Sequence, residues 1–219
     1  IHLARRKEGG YASQSEIRGY LRHRDQNQRW EADIGHPLIY FAEELVEMYP
    51  EAKFIITVRH PRNWLRSMID LSINHSWPSD LPATDPRHVW KVHRHTNLGG
   101  FPKTYPSEEL VLQEKGVRPV DAFLKYWSWH NERALRIIPE ERRLILRTKS
   151  ISSSTHDIAQ LCGIEKEKLS QDSHAWSTKQ KHGLLQKLYD DYIRKRVIAQ
   201  CEETISKLNN YIAEDIVIG

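Results

Sequence analysis

KFIITVRHPRNWLRS, running from Lys53 to Ser67, is the stretch whose reading decides the fold. Its first half is a compact apolar run, Phe54-Ile55-Ile56-Thr57-Val58. A short β-branched run bounded by charge and proline reads as a buried strand. Pro61 fits the first position of a following helix, where its missing N–H costs little. Trp64, Leu65, Met68 and Leu71 then continue at helical spacing. The stretch is strand, tight turn, helix. In open α/β sheets ligands bind beyond the carboxyl ends of the strands, and Arg59 stands at that end. Ser67 follows about two helical turns along.

Upstream, Phe41, Leu45 and Met48 recur at i, i+4 and i+7, which predicts a helix near 39–49, ended by Pro50. Helix, strand and helix in this order imply crossover connections and a parallel sheet. Further back, Ser13 and Glu16 have the spacing of a capping box for a helix near 14–24. The segment from Trp30 to Tyr40 reads as a loop or a brief extended piece, broken at Gly35-His36-Pro37. Downstream, 73–118 is rich in Pro, Gly and His and is too long for a simple connection. It reads as an irregular acceptor-site or lid region. A long helix is expected near 119–138, stopped by Pro139. Leu144-Ile145-Leu146 is a second strand. Ser154-Thr155-His156-Asp157 caps a helix that closes at Cys162-Gly163. A last helix is expected over 181–212 through Leu184, Leu188, Val197, Cys201, Ile205 and Leu208.

The 219 residues suit one domain, 1–219. A net charge of +4 agrees with an anionic ligand and gives little support to nucleic-acid binding. Cys162 and Cys201 lack any C-x-x-C partner, so they read as two buried thiols of a reducing, cytoplasmic compartment. No apolar run approaches the ~18 residues of a membrane span.

The segment from Pro37 to Ser67 resembles the sulfotransferase family that uses the phosphosulfate nucleotide PAPS. The matching features are a helix ending in Tyr49-Pro50, then Ala52-Lys53, an apolar strand, Arg59-His60-Pro61, and Ser67. The segment from Tyr126 to Ile164 is similar too, with His130-Asn131, Pro139-Glu140-Glu141-Arg142, the strand Leu144–Arg147 and Leu161-Cys162-Gly163-Ile164. The resemblance implies a helix-rich α/β fold of P-loop type, three layers with a parallel sheet flanked by helices. It implies PAPS as co-substrate, PAP as product, no metal, and a hydroxyl acceptor on a small molecule or carbohydrate.

By the same resemblance Arg59 and Ser67 hold the 3′-phosphate. A dianionic phosphate suits a planar, always-charged guanidinium. The competing reading for Arg59 is a surface ion pair with Asp33 or an acid of the 43–47 helix. Lys179 and Lys181, in the loop before the last helix, correspond loosely to a basic loop that closes over this phosphate. His36, just before Pro37, is the candidate base for the acceptor proton, and His60 is another option. His88, His93 and His95 read as loop histidines, because their intervals do not share a helix face. The family's Pro-Lys-Ser-Gly-Thr-like phosphate loop is not found before residue 37. Gly99-Gly100-Phe101-Pro102-Lys103-Thr104 follows no strand and reads as a chance match. Residue 1 is Ile, so the expectation is that the first strand and its loop precede this chain. The alternative is a non-catalytic nucleotide or anion-binding module that has lost the loop. No GxxxxGK[ST] supports a kinase-like enzyme.

Overall fold

The computed structural model describes Leu3, Arg6, Lys7 and residues 10–28, 36–74, 102–169 and 181–218. Seven α-helices and two strands are found among them, in the order α1 (Gln14–Gln28), α2 (Ala42–Met48), β1 (Phe54–Val58), α3 (Pro61–Asn74), α4 (Leu110–Glu114), α5 (Val120–Ile137), β2 (Arg143–Arg147), α6 (Thr155–Cys162) and α7 (Asp190–Asn209). The strands pair in parallel, with Phe54 opposite Arg143 and Val58 opposite Arg147. The fold is thus α/β and helix-rich.

Local chemistry explains the element ends. The Ser13 hydroxyl accepts the Glu16 N–H at 3.2 Å, and the Glu16 carboxylate accepts the Ser13 N–H at 3.3 Å. That is the reciprocal capping box. Pro61 starts α3 and Pro119 precedes α5. Gly163 ends α6 at φ 66°, a left-handed turn that favours glycine. Ser154 precedes α6, but its side chain makes no cap bond.

The core lies between β1 and the helices. Leu65 and Ile69 of α3, Val120, Phe123 and Leu124 of α5, and Ile193, Val197 and Leu208 of α7 are almost wholly buried there. Ile56, Val58 and Ile145 point into the same cluster. Leu146 is buried outside it, on β2 where α6 packs. Helices therefore flank β2 on both faces.

Arg142 ties this frame together. Its guanidinium donates to Ala52 O at 3.0 Å, Val46 O at 3.1 Å and Tyr49 O at 2.5 Å. It also lies 5.3 Å above the Phe54 ring. One side chain thus satisfies orphan carbonyls at the end of α2 and fixes the entry to β1.

Several expectations are corrected. Strand β1 is half-buried, because Ile55 and Thr57 are exposed while Ile56 and Val58 are buried. This is the period of two that a pleated strand gives when one face is covered. The last helix starts at Asp190, preceded by a 3-10 turn, Leu185–Lys187. Residues 36–41 form a 3-10 helix rather than a loop. Within 73–118, residues 107–114 are helical. Cys162 is exposed; only Cys201 is buried, and burial pushes its thiol up to about 11. Trp90, His88, His93, His95 and Lys179 lie outside the described residues.

Candidate functional site

The turn after β1 is held from three directions. Pro61 is buried at the first position of α3, which makes His60 the N-cap residue. The His60 Nδ1 accepts the Arg62 N–H at 3.2 Å, and its carbonyl accepts the Trp64 N–H at 2.9 Å. With Nδ1 accepting, the ring proton sits on Nε2, which donates to Val217 O at 3.1 Å. From the core side, the buried Trp127 indole donates to Arg59 O at 3.0 Å. Both ring nitrogens of His60 are thus engaged in hydrogen bonds within the fold.

Burial lowers the His60 pKa below its ordinary value, helped by the Arg147 and Arg62 charges and opposed by the Val217 carbonyl. The unfolded chain therefore binds this proton first as pH falls. Stability contributed by neutral His60 is present above the ordinary histidine range and is lost below about pH 6.5. The urea midpoint should fall between pH 7.5 and pH 5.5, and His60→Asn should shrink that fall. An equal fall in both proteins would refute the role of His60.

The Arg59 guanidinium is exposed at the carboxyl end of β1. The acids of α2 are engaged elsewhere. Glu43 pairs with Lys7 at 3.1 Å and Arg133 at 2.8 Å, Glu44 pairs with Lys7 at 2.5 Å, and Glu47 pairs with Arg18. Among the described residues no carboxylate pairs with Arg59; Asp33 lies outside them. Partial desolvation, and then the charge of Arg66, lowers the Arg59 pKa. The group still stays protonated at neutral pH. Such a pair of neighbouring guanidiniums is an electropositive spot suited to an anion.

Ser67 is half-buried two turns along α3, and its hydroxyl makes no hydrogen bond among the described residues. Further along the same helix, Asp70 accepts the His182 N–H at 2.9 Å, and Asn74 Oδ1 lies 2.5 Å from the His182 ring. The segment after residue 180 is thereby fixed to α3 about one turn beyond Ser67. Lys181, exposed, is carried there. His36 is the first residue of the 3-10 helix His36–Phe41; its side chain is outside the described residues. Among the described residues no three His, Cys, Asp or Glu side chains gather as a metal site needs.

Sequence reasoning missed three supports of this turn: the cap by His60, its bond to Val217 and the indole bond from Trp127. Two signals were available. A polar residue directly before a helix-opening proline stands at the N-cap, and a buried indole N–H needs an acceptor.

A family model described as a sulfotransferase domain matches residues 24–169, about two-thirds of the chain. The chain belongs to this sulfotransferase family. The match takes in β1, the Arg59 turn, α3, α5, β2 and α6, and stops before Lys179 and Lys181. The sulfotransferase domain is also similar to "Ava biosynthesis cluster protein M" of Aspergillus versicolor, 32% identical over 119 aligned positions. That alignment covers 49% of this chain and 41% of the relative, so the match spans less than half of the relative's length. No solved structure matches the chain. Among the described residues no helix is long and apolar enough to cross a membrane.

Proposed function

We propose that this sulfotransferase domain transfers a sulfuryl group from PAPS to a hydroxyl of a small-molecule or carbohydrate acceptor. The observation that carries the reading is Arg59, charged and without a carboxylate partner among the described residues, at the carboxyl end of β1 with Ser67 on the next helix. Arg59 gives the 3′-phosphate a planar charged donor and Ser67 a neutral one. Lys181 adds charge from the segment fixed to α3, and Lys179, two residues earlier in sequence, adds a second cation. The region 73–118 supplies the acceptor side within one domain.

His36 takes the acceptor proton as the acceptor oxygen attacks sulfur. The bond between sulfur and the bridging phosphate oxygen breaks, and PAP leaves with that oxygen's charge. In the full-length protein His36→Ala should lower kcat with little change in KM. Retention of most turnover would rule His36 out.

Calorimetry with PAP tests the nucleotide reading, and an acceptor screen with labelled PAPS tests the reaction. Binding of PAP without transfer to any acceptor would place the chain as a nucleotide-binding module instead.

A further inference from the structure

The last residues of the described chain form a strap across the ligand-facing edge of the sheet. The strap leaves α7 and is locked to it at Asn209. The Asn209 side chain accepts the Ile216 N–H at 2.9 Å and donates to Ile216 O at 3.4 Å. Its Ile212 and Ile216 are buried in the core. At the end of β2, Arg147 donates to Glu214 O at 3.0 Å and Asp215 O at 2.8 Å, and Lys149 pairs with Glu214 at 2.5 Å. At the end of β1, His60 Nε2 donates to Val217 O at 3.1 Å. One short segment thus bonds to residues at the carboxyl ends of both strands. At β1 it does so through the imidazole that caps α3, next to Arg59 in sequence.

We infer that His60 is a positioning residue for Arg59, and that the strap 212–218 acts through it to set the affinity for the 3′-phosphate. The inference rests on the reading of Arg59 given above. An Arg side chain binds a phosphate well only if its backbone is fixed, since ordering it on binding costs free energy. The Arg59 backbone is fixed by the Trp127 bond to its carbonyl and by the cap on the residue after it. The cap in turn needs the imidazole in one tautomer, and the Val217 carbonyl selects that tautomer. Arg147 and Lys149 are meanwhile engaged with the strap, whereas Arg59, with Arg66 beside it, has no carboxylate partner among the described residues.

The test is PAP affinity by calorimetry for wild type, Arg59→Ala, His60→Ala, His60→Asn, Asn209→Ala and the His60→Ala/Asn209→Ala double variant, all in the full-length protein. His60→Ala should weaken PAP about five- to tenfold. His60→Asn, whose side chain can still cap α3, should recover most of that loss. Asn209→Ala, which frees the strap away from Arg59, should weaken PAP a few-fold in the wild-type background and not further in the His60→Ala background. In nitrogen NMR, wild-type His60 should show a protonated Nε2 and an unprotonated Nδ1.

Unchanged affinity in His60→Ala, beside a clear loss in Arg59→Ala, would overturn this inference and leave the nucleotide reading standing. Equal losses from Asn209→Ala in both backgrounds would also overturn it. No PAP binding by wild type, or no effect of Arg59→Ala, would sink the reading of Arg59 itself and the inference with it.

Discussion

Arg59→Ala should weaken PAP binding by about 10- to 150-fold. The figure follows from a hydrogen bond to a charged group, worth about 1.5–3 kcal/mol, at tenfold per 1.4 kcal/mol. The size of the loss depends on what the guanidinium does in the free protein. A side chain already paired with an acid would give up that pair to bind phosphate, and its removal would cost little. The α2 acids that could have paired with Arg59 are instead held by Lys7, Arg133 and Arg18. Stability should barely change, because Arg59 is exposed and is tied to the fold through its carbonyl rather than its side chain. Arg59→Lys keeps the charge and loses the planar fork, so it should recover only part of the affinity. Equal PAP affinity in wild type and Arg59→Ala, measured by calorimetry, would end the 3′-phosphate assignment.

Arg142→Ala should have the opposite profile, a large loss of stability. Its guanidinium reaches carbonyls of Val46, Tyr49 and Ala52, three sites on one connection. Removing it leaves these carbonyls without their charged donor, at a cost of about 3 kcal/mol, the upper end for bonds to a charged group. For a chain of this size that lowers Tm by about 6–12 °C. Arg142→Lys should not rescue it, because an ammonium cannot span the three acceptors as a fork does. A Tm within a degree of wild type would show that the connection holds without it.

The sequence reports burial more faithfully than hydrogen bonding, because burial is patterned locally and hydrogen bonds join distant residues. The Phe54–Val58 run, the Pro61 helix start and the Ser13/Glu16 box were legible because each is local, deciding its own backbone within four residues. Apolar spacing alone places the start of the last helix too early. Leu184, Leu185 and Leu188 are buried as their apolar character demands, but Gly183 adopts φ 65° and the turn there is 3-10, so the α-helix begins only at Asp190. The exposed face of β1 could not be read either, since whether Ile55 is covered depends on a helix elsewhere in the chain. In the candidate site, Arg59 and Ser67 are proposed from a spacing the sequence carries. The tie between His60 and Val217 joins residues 157 apart in sequence and leaves no local pattern.

The parallel pairing of β1 with β2 also sets how the molecule must form. Phe54 and Arg143 meet across about 90 residues of intervening chain. Helices such as α5 need only neighbours in sequence, whereas this ladder repays its closure entropy only after α3 and α5 are in place. The carboxyl end of β1 is fixed by that ladder and by the still more distant Val217. The Arg59 corner therefore belongs to the late part of folding. Refolding followed by far-UV circular dichroism should finish before PAP-binding competence returns. Simultaneous recovery of both signals would show that the corner forms with the bulk of the core.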